Sequence, residues 1–235
     1  MKRQASKTRY TEEEKIVNPD RSRFKPYPEY KDSGIDWLDE IPAHWEVKRL
    51  KYVAKLVDER IQRISNAHQY VGLDDIEPGS GKRISVDDTS KIEIIPESSV
   101  SVFQPGDILF GKLRPYLAKA LMPDFSGVCS TELLVIRPFS QLSSPFLFYT
   151  FLNKLLIDWI SAHAYGTKMP RVNPDFIEGI KLVIPPKRDQ QIIAEFLNRE
   201  TARIDSLIEK KGRLIELLQE KRAALITAAV TKGLD

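Results

Sequence analysis

The chain has 235 residues, 42% apolar and 29% charged, with 36 Lys and Arg against 33 Asp and Glu for a net charge of +3. This composition suits one or two globular domains and excludes a collagen-like chain, a wholly disordered tail and an end-to-end coiled coil. The single cysteine, Cys129, excludes an internal disulfide framework and a multi-cysteine zinc site.

One cysteine also fits a reducing compartment. No run of about 18 apolar residues marks a membrane span. The basic start MKRQASKTRYTEEEK lacks the apolar stretch of a secretory signal. The cytoplasm is the expected location. Residues 1–31 carry nine basic side chains (Lys2, Arg3, Lys7, Arg9, Lys15, Arg21, Arg23, Lys25, Lys31) and five acidic ones (Glu12, Glu13, Glu14, Asp20, Glu29), +4 in all. Residues 1–30 read as a basic, poorly ordered arm, either a solvated leader or a contact to DNA backbone.

Residues 31–186 read as one domain. In GIDWLDEIPAHWEVKRLKYVAKLV, Trp37, Leu38, Ile41 and Trp45 are apolar anchors around the Pro42 turn. Val47, Leu50, Val53 and Ala54 then recur at helix-like spacing, although Val47 fits the end of a short strand equally well. Residues 58–145 are strand-like. VSVFQPGDILFGKL is two apolar runs around a Gln-Pro-Gly-Asp turn, GVCSTELLVIRP is another β-rich run, and YVGLDDI and KIEIIP are shorter candidates around the loop EPGSGK. Residues 145–161 predict one helix, with Ser144 as its cap and Pro145 at the first helical position. The segment HAYGTKMPRVNPDFIEGIKLVIPP predicts a loop, a short helix and a strand, which Pro185 and Pro186 end in a hinge.

Residues 187–235 hold the clearest element, a helix free of internal proline. Leu197, Ile204, Leu207, Ile208, Leu214, Ile215, Leu218 and Leu225 form a broad apolar stripe, interrupted by Lys211 and Lys221. About 44 residues reach roughly 65 Å. Gly212 marks a candidate bend, and Gly233 a C-cap. No second helix of similar length is predicted within the chain, so the stripe predicts an intermolecular coiled coil that serves as a spacer or docking rod. The fold class is thus α+β, a mixed β-rich domain followed by one long C-terminal helix.

Enzyme motifs fail. GSGK at residues 79–82 lacks the upstream glycine and the following Ser or Thr of a phosphate loop, with Ile76 and Arg83 in those places. His44, His68 and His163 have no metal-ligand spacing, and no G-x-S-x-G elbow exists. Cys129 sits in a β-rich run and reads as a buried structural thiol. Asp74, Asp75 and Glu77 read as a solvated turn rather than a magnesium site. Two polar stretches do suit nucleic acid. Lys112, Arg114 and Tyr116 follow the strand DILF, with Lys112 and Arg114 on one face if the backbone stays extended. Thr167, Lys168, Arg171 and Asn173 lie in a Gly- and Pro-shaped loop. Arg reads guanine with two hydrogen bonds and Lys holds phosphate. A solvated loop is the competing reading of each stretch.

Several segments together bring a family into view. The chain resembles the DNA-specificity (S) subunit of type I restriction-modification systems in YPEYKDSGIDWLDEIPAHWEVKRLKYV, in GDILFGKLRPYL, in the strand CSTELLVIRP, in GTKMPRVN, and in IPPKRDQQIIAEFLNRETARIDSLI with LLQEKRAALITAAVTKGLD. About 200 of the 235 residues are covered. Asp189-Gln190 stands where members commonly have Glu-Gln. A typical member is this plan repeated twice, and TAAVTKGLD looks like the join between its halves. The resemblance implies a non-catalytic target recognition domain that reads one half of a split double-stranded DNA site. It implies a helix that pairs antiparallel with another, in a homodimer or with a second half-subunit. It also implies methyltransferase (M) and restriction (R) subunits as partners. S-adenosylmethionine, ATP and magnesium are expected only in those subunits, and no membrane is expected. The alternative is a coiled-coil protein-interaction module with no DNA specificity of its own.

Overall fold

The computed structural model describes residues 26–61, 69–84 and 99–233. Most of the basic arm and the strand expected at KIEIIP lie outside the described residues.

The centre of the fold is a four-stranded sheet in the order β4-β11-β8-β9, from β4 (Ala54–Leu56), β8 (Ile108–Gly111), β9 (Ala120–Leu121) and β11 (Leu133–Pro138). Side chains alternate across a strand, and here both faces are covered. Ile108, Phe110, Leu134 and Ile136 face one core, while Leu109, Leu133 and Val135 face a second. That two-sided burial explains the unbroken apolar runs ILF and LLVI, where a half-exposed strand would alternate. Arg137 near the end of β11 makes two 2.7 Å hydrogen bonds to buried Asp107, pinning β8 to β11.

The second core lies between this sheet and another, ordered β5-β7-β10-β6, from β5 (Arg60–Ile61), β6 (Gln69–Val71), β7 (Val100–Phe103) and β10 (Gly127–Cys129). β6 runs parallel to β10. Gly127 permits that approach, because a Cβ there would stand 2.3 Å from the Gln69 carbonyl oxygen. Cys129 is fully buried in this core, and burial, helped by Asp107, pushes its thiol up to about 12. It is an unreactive core side chain.

The first core is closed by α1 (Ser144–Thr150), α2 (Lys154–Ala162) and α3 (Pro174–Gly179). The single helix expected over 145–161 is two. Phe151 turns into the core, its ring 4.9 Å from Phe110, and Asn153 restarts the helix by accepting a 2.8 Å hydrogen bond from the Leu155 N–H. The cap of α1 is Ser143, one residue earlier than the sequence suggests. The helical reading of 47–54 is also corrected. β3 (Glu46–Arg49) pairs with β12 (Lys181–Ile184), a 3-10 turn covers Leu50–Tyr52, and β4 joins the central sheet. Tertiary pairing overrides the local spacing, because these apolar residues serve two different sheets. The hairpin of β1 (Tyr30–Ile35) and β2 (Leu38–Pro42) packs Ile35 and Ile41 against Val183 in a third small core.

α4 runs from Lys187 to Lys232 without interruption, 46 residues and about 70 Å. The helix is not interrupted at Gly212, the candidate bend. Gly233 is the C-cap, with φ 78°. The Pro185-Pro186 junction, expected to be a hinge, is spanned by polar contacts. Gln190, 1% exposed, accepts from the Ser143 N–H at 2.7 Å and donates to the carbonyls of Gln141 at 3.1 Å and Pro185 at 2.8 Å. One carboxylate oxygen of Asp189, Oδ2, takes three more donors: Trp45 Nε1 and His44 Nε2 at 3.2 Å each, and Tyr27 Oη at 3.3 Å. Partial burial pushes the Asp189 carboxyl up, but hydrogen bonds from His44, Trp45 and Tyr27 outweigh it and hold the group below the ordinary aspartate value. The described end of the arm is therefore seated, with the Tyr27 ring 5.1 Å from His44 and 5.7 Å from Trp45.

Candidate nucleic-acid interface

The two polar stretches lie side by side. Residues 163–173 connect α2 to α3 and fold back on themselves, with Tyr165 and Arg171 exchanging two backbone hydrogen bonds of 2.9 Å. Gly166, at φ 93°, makes the turn, and a Cβ there would press on the Met169 carbonyl. The stretch after β8 runs alongside. The Arg114 N–H donates to the Pro170 carbonyl at 2.7 Å, and the Val172 N–H donates to the Lys112 carbonyl at 3.0 Å. The foot of the loop is gripped by a ring stack, Trp159 on Phe176 at 5.1 Å with His163 5.1 Å from Phe176. Sequence reading found both stretches but had no means to join them, since the link is a long-range backbone bridge.

Arg114 and Ala118 are the two non-glycine residues with positive φ among the described residues, at 52° and 47°. They bracket a 3-10 turn over Pro115–Leu117. A left-handed conformation outside glycine costs roughly 1–3 kcal/mol and persists only where surrounding structure enforces it. Buried Pro115 and the nearly buried Lys119, whose Nζ donates to the Leu73 carbonyl at 2.9 Å, enforce it here. The extended backbone that would align Lys112 and Arg114 on one face therefore ends at Arg114. Its side chain is exposed, Lys112 is half-buried, and Tyr116 is 55% exposed.

Thr167 and Lys168 are exposed at the tip of the second loop. Arg171 and Asn173 have partners that their reading as DNA contacts left out. The Arg171 Nη2 donates to Glu132 Oε1 at 3.0 Å, so its guanidinium is held against the fold. Glu132 Oε2 is buried with no hydrogen-bond partner among the described residues. Asn173 is the N-cap of α3, its Oδ1 accepting from the Asp175 N–H at 3.0 Å. The pattern Asn-Pro-Asp carried that cap in plain view. Lys112, Arg114 and Lys168 make no ion pair among the described residues. Sequence reading also passed over Tyr165 and Met169, 61% and 57% exposed beside these cations. No group of three or more His, Cys, Asp or Glu able to hold a metal occurs among the described residues, and among them no helix is long and apolar enough to cross a membrane.

The helix presents a second surface. Gln190 and Ala194 are buried on the domain, Asn198 accepts a 2.7 Å bond from Tyr149 Oη, and Asp205 pairs with Lys82 at 2.6 Å. The apolar stripe points about a quarter turn away from this seated face. Leu197 is half-buried, whereas Ile204, Leu207, Ile208, Leu214, Ile215, Leu218 and Leu225 are 49–65% exposed. Leu217, Ile226 and Val230, outside the sequence-based set, are exposed as well. Every residue from Leu207 to Ala228 is exposed.

A β-rich domain with a long projecting helix matches solved S-subunit architecture. The HsdS subunit from Thermoanaerobacter tengcongensis aligns with a TM-score of 0.57 at 24% identity, over 83% of this chain and 52% of that one. A chain from a structure titled for complex assembly and conformational transition of the type I R-M system aligns with a TM-score of 0.62 at 23% identity, over 83% and 50%. The profile of the type I restriction modification DNA specificity domain matches residues 42–218, and the chain belongs to this family. Among curated relatives, the EcoDI specificity subunit of Escherichia coli is 28% identical over 179 residues, covering 74% of this chain and 38% of that protein. The MjaVIII specificity subunit of Methanocaldococcus jannaschii is 25% identical over 207 residues, covering 82% and 43%. The chain thus spans less than half the length of these two relatives.

Proposed function

We propose that this chain reads one half of a split double-stranded DNA site through its paired loops, and that α4 joins a second such helix to set the distance between half-sites. Lys112, Arg114, Tyr116, Thr167 and Lys168 face the DNA. Arg171 reaches it from its seat on Glu132, and Asn173 holds the loop in shape as a cap. The chain performs no chemistry. Methyltransferase (M) and restriction (R) subunits bring S-adenosylmethionine, ATP and magnesium to the site it selects. In a homodimer the two half-sites are inverted copies of each other. The observation that carries this reading is the pair of laced, carboxylate-free loops whose free cations face outward on a fold of this family. The apolar stripe alone would equally serve a protein-interaction module; the cationic loops favour DNA.

Selection from a random duplex library with the purified chain tests it. Enrichment of a short motif, or of two inverted copies at fixed spacing, is expected. Retention of all sequences alike, or of none, would contradict the proposal.

A further inference from the structure

Segments 111–119 and 163–174 contain Lys112, Arg114, Lys119, Lys168 and Arg171 and no Asp or Glu. Between these charges three large apolar side chains stand out into solvent: Tyr116 at 55% exposure, Tyr165 at 61% and Met169 at 57%. Single exposed apolar residues need no explanation. These three sit on stiffened backbone. Tyr116 rides the turn fixed by two left-handed residues. Tyr165 and Met169 flank the Gly166 turn, and the carbonyl of Pro170 is tied to the Arg114 N–H at 2.7 Å. A merely solvated loop has no need to hold such side chains out on constrained turns.

Methionine has no donor for a base edge, and tyrosine has one hydroxyl. Their bulk suits a different task. Met and Pro are among the side chains that proteins insert between base steps, partly unstacking them. Aromatic rings receive the face of any base. Lysines and arginines on both sides hold the phosphates in place meanwhile.

We propose that Tyr116, Tyr165 and Met169 form a wedge that enters the duplex at the recognition site and unstacks a base step, so that the chain reads DNA it has locally opened. This rests on the DNA-recognition reading above and adds a distortion to it. The occupant is duplex DNA, chosen by Lys112, Arg114 and Lys168, the cations of these segments that make no ion pair among the described residues; a protein occupant is tested below.

The experiment starts from the duplex found by selection. Each adenine is replaced in turn by 2-aminopurine and each cytosine by pyrrolocytosine, so that every base pair is probed. The full chain is titrated in, along with Tyr116→Ala, Tyr165→Ala, Met169→Ala, Tyr165→Phe and Met169→Leu. Circular dichroism and melting confirm that each variant is folded. Fluorescence should rise at one or two adjacent positions with the parent chain and with the Phe and Leu variants. The Ala variants should lose that rise and about tenfold in affinity, in line with stacking on one base. No rise at any position at saturation overturns the wedge, as does unchanged fluorescence and affinity in all three Ala variants. Loss of affinity for a methyltransferase subunit with DNA binding intact would assign the patch to protein contact instead, and also overturns it. Failure of selection to yield any motif strikes the DNA reading itself, so the two failures are distinguishable.

Discussion

Residues 187–205 and 207–228 belong to one unbroken helix, yet their surroundings are opposite. The first part is fastened to the domain by Gln190, Asp189, Asn198 and Asp205. The second is exposed at every residue and carries an apolar stripe. Burying a Leu or Ile side chain stabilises by about 1.5–3 kcal/mol, so the eight half-exposed ones of this second part leave several kcal/mol unclaimed. The seated face and the stripe lie about a quarter turn apart, so the domain leaves the stripe open along its length. One helix thereby separates two tasks: polar contacts fix its direction, and apolar contacts remain for a partner.

The sharpest way to break this comparison is Leu214→Asp. A charge at the middle of the stripe should abolish self-association or helix docking, halving the mass by light scattering, while the melting temperature of the domain stays put. Next comes the seated part. Gln190→Ala strands the Ser143 N–H and the carbonyls of Gln141 and Pro185, and should lower stability by about 2–3 kcal/mol in urea unfolding, with little effect on association. On the loops, Arg114→Ala should cost about 1–3 kcal/mol and relax preference at one site position if the side chain reads a base. Lys168→Ala should weaken binding evenly across sequences and reduce the salt slope by about 1. Smallest is a pH effect. The Asp189 carboxyl titrates below the usual aspartate value of about 3.9. Its contribution is therefore complete above about pH 4 and is lost as pH falls through the depressed value. Asp189→Asn should flatten that acid limb in a series of melts between pH 2 and pH 6.

Much of this was legible in the chain. Uniform apolar runs such as ILF and LLVI announced strands, and the proline-free stretch after Pro186 announced α4 to its first residue. The stripe from Ile204 to Leu225 was readable because periodicity is a local property. What escaped depends on partners far away in sequence. Leu50 and Val53 look helical until β12 and β11 claim their neighbours, whereas the strand alternative for Val47 holds. Phe151 looks mid-helical until Phe110 draws it inward. Arg171 looks free until Glu132, 39 residues away, takes its guanidinium. Tyr165 and Met169 carry no charge and so drew no attention, although the surface they share with Lys112, Arg114 and Lys168 is what the fold assembles.

The central claim is that this chain selects a DNA site for partner subunits while two long helices fix the spacing. Expressing it with a methyltransferase subunit of the same system in a methylation-free host, and mapping modified adenines by single-molecule sequencing, tests that most directly. The account predicts modification at a split motif with inverted half-sites at constant separation. Modification at an unsplit motif, or none in a complex shown by pull-down to have assembled, would contradict it.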